Sequence, residues 1–100
     1  MEAKSYTIDE IKKIVTPIAK KYQIALVYLF GSFARGDYNE QSDIDIRIEK
    51  GKLKGMIALC GFYTEVSEAL ERRVDVLTTG SLSDVFLESI KKDEVILYAE

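Results

Sequence analysis

The chain has 100 residues, enough for a single domain spanning positions 1–100, and its 47% apolar content can fill one core. A net charge of −3 argues against a protein that coats nucleic acid or binds DNA directly, and the lack of any histidine removes histidine catalysis and histidine metal ligation. One cysteine, Cys60, excludes an internal disulfide and zinc clusters, and no apolar stretch reaches membrane-spanning length; with no secretory leader in view, the cytoplasm is the default expectation.

Thr7-Ile8-Asp9-Glu10 has the form of a capping box, and Ile11, Ile14, Val15, Ile18, Ala19 and Tyr22 recur behind it at helical spacing. Pro17 removes the hydrogen bond to the Lys13 carbonyl, which predicts a kink rather than an end. Lys12, Lys13, Lys20 and Lys21 read as the helix's solvated face. A continuous apolar run from about Ile24 to Phe30 reads as a central strand covered on both faces. Gly31 ends it, and Ser32-Phe33-Ala34-Arg35 can form a short helical turn. Residues 36–42 are polar and turn-rich, a loop. A second strand is expected from about Asp43 to Glu49. Gly51 breaks the chain. A second helix from about Leu53 to Leu70 is expected to bury Met56, Leu59, Cys60, Tyr63 and Val66, with Cys60 as inert core and Arg72 and Arg73 complementing its C-terminal dipole. A third strand covers about Arg73 to Thr78. Ser81 or Ser83 caps a last helix with Val85, Phe86, Leu87 and Ile90 inward, and Val95 to Tyr98 is a short strand or an extended tail. The fold class is α/β: a small sheet of three convincing strands with helices packed on it and one face or edge left open.

The chemistry concentrates around the first turn. Gly31 allows a sharp turn and close approach of a ligand to the backbone, and the N–H groups of the following turn can point at phosphate oxygens. After a gap of ten residues from Ser32, Asp43 and Asp45 alternate with Ile44 and Ile46, so both carboxylates share one strand face. Two such carboxylates repel, and a divalent cation relieves the conflict; Mg²⁺ is commonly held by one or two carboxylates plus substrate phosphates. Asp75, inside the apolar run Val74-Asp75-Val76-Leu77, can complete the set. Taken singly, Asp-Ile-Asp-Ile is what a half-exposed strand looks like; the joint pattern is far more specific. Arg35 reads either as a guanidinium for a triphosphate or as a loop brace on Asp37 or Asp43. Arg47 reads as a phosphate contact or as a surface strand residue, and Tyr38 as a base-stacking ring or a plain loop tyrosine.

Leu29-Phe30-Gly31-Ser32-Phe33-Ala34-Arg35-Gly36 with Ser42-Asp43-Ile44-Asp45-Ile46 resembles the signature of the DNA polymerase beta-like nucleotidyltransferases. More narrowly it resembles the minimal nucleotidyltransferases, small antitoxin-type proteins paired with HEPN-domain toxins, and the likeness runs over nearly the whole chain. The resemblance implies a mixed sheet with the acids along one rim of an open cleft. It implies that Gly31 and Ser32 cradle the β- and γ-phosphates of a nucleoside triphosphate, with Arg35 beside them. Asp43, Asp45 and Asp75 would be the catalytic, metal-binding acids, holding Mg²⁺ as two ions, and Asp75 would assist deprotonation of the acceptor. ATP would be the donor, and a tyrosine hydroxyl of a HEPN-type toxin the acceptor, because the chain shows no second domain to hold one. Two alternatives belong to other classes: a binding module that masks its partner without catalysis, and an adenylyltransferase for a small molecule such as an antibiotic.

Overall fold

The structure, a computed structural model, describes residues 6–100. Helix α1 spans Ile8–Lys21 and opens on the expected box: Glu10 N–H donates to Thr7 Oγ1 at 3.2 Å and Thr7 N–H to Glu10 Oε1 at 2.8 Å. It runs on through Pro17 and buries Ile11, Val15 and Ala19, one stripe of the helix. Strand β1 is Leu26–Phe30, α2 is the single turn Ser32–Arg35, and β2 is Ile44–Glu49. Helix α3, Gly55–Leu70, connects β2 to its parallel neighbour β3, Val74–Thr78. A 3-10 turn at Thr79–Ser81, helix α4 at Asp84–Lys91 and strand β4 at Val95–Ala99 complete the chain.

The sheet has the order β3-β2-β1-β4, with β1 antiparallel to both β2 and β4. The closing segment is therefore a fourth strand, paired to β1, and the sheet is mixed. Ile44, Ile46 and Ile48 of β2 are fully buried, as are Val27 and Leu29 of β1, and they share a core with Ile11, Val15 and Ala19 of α1 and Phe62, Val66 and Leu70 of α3. Tyr28, Phe30, Asp45, Arg47 and Asp75 follow the opposite parity and lie on the other face. β1 is thus central, but its two faces differ: one is core, and the other carries the polar machinery.

Two helices bury Val66 and Ile90 as the sequence suggests, but expose others of the expected residues. In α3 the core takes Phe62, Val66 and Leu70; Met56 is 72% exposed, Ile57 is 91% exposed, and Cys60 and Tyr63 are exposed too. Cys60 is therefore not core. The first half of this helix is apolar nearly all round, so its sequence gives no sharp phase, and the sheet selects Phe62 and Leu70 with the expected Val66 rather than Met56, Cys60 and Tyr63. In α4 only Ile90 is buried; Val85 is 81% exposed, and Phe86, half out, meets Phe30 edge-on at 6.1 Å. None of the described helices is long and apolar enough to cross a membrane.

Candidate active site

Strand β1 delivers the chain to Gly31, whose backbone lies at φ +75° and ψ −154°, a region open to glycine and strained for any other residue. A Cβ at this position would run into Asp45 Oδ2. The glycine thus lets the turn and the carboxylate of the next strand touch. Ala34 and Arg35 N–H both donate to Gly31 O at 3.1 Å, and Gly36 N–H donates to Ser32 O at 2.9 Å. The N–H groups of Ser32 and Phe33 are left at the open end of the turn, donors that a helix does not satisfy itself. An anion is their natural partner.

Register brings the acids together. Phe30, last residue of β1, pairs with Asp45, and Asp45 pairs with Asp75 across the parallel β2–β3 ladder. Burial pushes the Asp45 carboxyl up to about 6, with the Asp75 and Asp43 charges and a hydrogen bond shared with Asp75 adding to it and Arg35 opposing. Asp45 is half-buried and Asp75 exposed, so the pair opens to solvent on the β3 side. Asp43, one residue ahead of β2, is drawn elsewhere: Arg73 Nε donates to its Oδ1 at 2.9 Å. Among the described residues no three acidic side chains converge at metal-ligand distances.

The arginines divide in ways the sequence does not show. Arg35 takes its loop-brace option in part, meeting Asp37 at 3.1 Å and, more distantly, Asp93 at 4.0 Å, and stays half exposed. Arg47 follows neither of its two readings. It is buried, forks onto Glu94 with Nε–H and NH2 bonds of 2.6 and 2.9 Å, donates to Thr79 Oγ1 at 2.7 Å, and lies 4.2 Å over the Tyr28 ring. This clamp reaches from the turn after β3, through β2 and over β1, to the entrance of β4. Arg72 does not serve the α3 dipole; it donates to the Ser42 and Asn39 carbonyls and sits 4.9 Å over Phe33, fastening the 36–43 loop to α2. Tyr38 stacks flat on Phe33 at 4.1 Å, so its ring is engaged within the chain. Glu94 went unnoticed in the sequence, and Arg72 and Arg73, read there as dipole partners of the helix, have their side chains on the 36–43 loop and on Asp43 instead. A charge at Arg47 between core isoleucines is the one signal that a buried partner had to exist.

Comparison with known proteins places nearly the whole chain in a family. Residues 12–100 match the family model described as polymerase beta, nucleotidyltransferase. The chain belongs to that family. One relative of this nucleotidyltransferase, a candidate protein adenylyltransferase of Methanocaldococcus jannaschii, is 38% identical over 88 residues, 88% of this chain and 95% of the relative. Among solved structures, a toxin–antitoxin crystal structure with AMP-PNP superposes with a TM-score of 0.75 at 24% identity, covering 89% of this chain and 73% of that one. A chain in the structure of a tri-AMPylated Shewanella oneidensis HEPN toxin in complex with MNT antitoxin gives a TM-score of 0.71 at 21% identity, covering 94% and 74%. Those two likenesses are likenesses of fold. For a nucleotidyltransferase the donor set is chemically apt for a hard divalent cation: every candidate ligand is a carboxylate oxygen, and Asp45 carries an electrostatic conflict that a cation would relieve.

Proposed function

We propose that this nucleotidyltransferase, acting as a single domain over residues 1–100 in the cytoplasm, transfers AMP from ATP to a tyrosine hydroxyl of a HEPN-type toxin and so acts as its antitoxin. The observation that carries the reading is the Asp45–Asp75 pair, held in register across parallel strands and pressed against the Gly31 turn. The choice of a protein acceptor draws support from the adenylyltransferase relative and from the AMPylated toxin in the neighbouring structure.

In this reading the Ser32 and Phe33 N–H groups receive phosphate oxygens, and the half-exposed Arg35 guanidinium steadies them from the end of the turn. Asp43, Asp45 and Asp75 would hold Mg²⁺, one ion or two, which when bound neutralises the triphosphate and orients the reacting oxygens. Asp75 stands on the solvent side, where an acceptor arrives, and takes the hydroxyl proton. The acceptor oxygen bonds to the α-phosphorus as the bond to pyrophosphate breaks, so one proton and one pyrophosphate leave for each AMP added. Most of the acceleration is then positioning and charge neutralisation.

The masking alternative has one observation behind it: Met56 and Ile57 offer apolar surface that a partner could cover. Incubation with ATP, Mg²⁺ and a HEPN-type toxin that binds this chain separates the two by intact mass. Catalysis gives a gain of one or more AMP units on the partner, lost with Asp75→Asn while Mg-ATP affinity changes little. Full neutralisation of the partner by Asp45→Asn, with no gain in mass, would establish masking instead.

A further inference from the structure

The Arg73–Asp43 pair stands apart from the other ion pairs. Ile44 pairs with Val74 and Asp45 with Asp75 along the parallel ladder. Asp43 and Arg73 each lie one residue ahead of their strand and two before an acid, so they share that acid's face. The result is two rows: Asp43 beside Arg73, then Asp45 beside Asp75. One member of the four is already a cation. It is tethered to the edge strand, its side chain is 80% exposed, and it touches Asp43 through a single 2.9 Å bond. Arg47, by contrast, is sunk beneath a two-bonded pair and two further contacts. An exposed, singly bonded pair is weak and readily exchanged; a buried fork is not.

We propose that Arg73 is the cation's placeholder at Asp43: its guanidinium occupies this carboxylate until a divalent ion displaces it, and thereby sets how tightly the ion is held. The inference rests on the reading of Asp43, Asp45 and Asp75 as the cation-binding acids. Its physical content is competition. Two cations at one carboxylate repel, so binding an ion there requires the guanidinium to leave. While Arg73 stays, Asp43 is steered away from the other two acids, in keeping with the lack of three-way convergence. Arg73 is then a positioning residue that acts through Asp43.

The test reads metal affinity rather than turnover. Mn²⁺ is titrated calorimetrically at 0.15 M salt, where charges more than a Debye length apart are screened, into the full chain and into Arg73→Ala, Asp43→Asn, the double variant and Asp45→Asn. Arg73→Ala should tighten Mn²⁺ by roughly two- to fivefold, the equivalent of releasing one exposed pair. In the Asp43→Asn background the same change should have no effect, because no carboxylate remains to be held. Unchanged or weaker binding in Arg73→Ala overturns the proposal, since the arginine would then preorganise Asp43. Equal tightening in both backgrounds also overturns it, since only net charge would matter. If Asp45→Asn binds Mn²⁺ as the parent does, the acids are not the ion's site, and the underlying reading fails before Arg73 is reached.

Discussion

Glu94→Ala should be among the most damaging single changes in this protein, although Glu94 belongs to none of the chemistry. Its side chain is 7% exposed and that of Arg47 is 6% exposed. Two N–H bonds, of 2.6 and 2.9 Å, are lost in the variant. Thr79 Oγ1 at 2.7 Å and the Tyr28 face at 4.2 Å remain around the guanidinium, and the one charge left beside it is the half-exposed Glu49 carboxylate at 3.7 Å, a longer and better solvated partner than Glu94. Breaking one side of a buried pair costs about 3–5 kcal/mol, because the surviving charge stays desolvated. A domain of this size has a total stability of roughly 5–15 kcal/mol, so about a fifth or more is at stake. With a urea m-value of about 1.5 kcal/mol/M, the unfolding midpoint should fall by about 2–3 M. Urea titration followed by circular dichroism measures this directly. The double change Arg47→Met with Glu94→Met should restore most of the loss, since a buried pair replaced by well-packed apolar groups is often neutral. A cost below about 1 kcal/mol for Glu94→Ala, the value of an exposed pair, would refute the clamp as described.

Two further outcomes follow from the site itself. The Asp45 carboxyl is pushed up to about 6 in the folded chain, against about 3.9 unfolded. Between those values the folded state binds more protons, so this group's contribution is fully present below about pH 4 and is lost as pH rises through 6. Asp45→Asn should therefore be more stable than the parent at pH 8, with the gain shrinking toward pH 4; a gain independent of pH across urea titrations at pH 8, 6 and 4.5 would count against the carboxylate conflict. Gly31→Ala should cost about 1–3 kcal/mol for its backbone conformation alone. It should also weaken ATP and GTP binding alike, because the new methyl displaces Asp45 from the turn; loss of ATP with retention of GTP, measured calorimetrically, would place Gly31 at the base rather than at the phosphates.

The parts of this fold legible in the sequence are those written in short-range patterns. The Thr7–Glu10 box, the apolar run into Gly31, the turn Ser32–Arg35 and the Asp-Ile-Asp-Ile alternation each need only a few neighbouring residues to be read, and each is found in place. The candidate acids could be gathered onto one sheet face because strand parity is strict; that Asp45 pairs with Asp75 follows from register, which parity does not give. Helix α3 shows where pattern fails: Ile57, Ala58, Leu59, Cys60, Phe62 and Tyr63 leave no polar side to set the phase, and only the sheet beneath decides that Phe62 goes in. Arg47 and Glu94 are 47 positions apart, and Arg72 reaches Ser42 across 30. Such pairs are made by tertiary structure and have no local signal. Val95–Ala99 read ambiguously for a related reason, since a short strand becomes one by finding β1.

The placement of Asp75 on β3 has a consequence for how the site comes into being. β3 is an edge strand, hydrogen-bonded to the sheet along β2 alone, and it joins β2 only after the 16 residues of α3 have closed the crossover. Loop closure of that length must precede any reward from the parallel pairing. The β1–β2 hairpin, by contrast, needs only the loop between them, so Gly31, Ser32, Asp43 and Asp45 can assemble while Asp75 is still absent. Opening events in the native state will run the same sequence backwards, since a one-sided ladder frays before a two-sided one. On the proposed reading the third acid is thus carried by a strand held on one side, as β4 is at the opposite edge, and amide exchange along Val74–Thr78 would time the lifetime of the complete site.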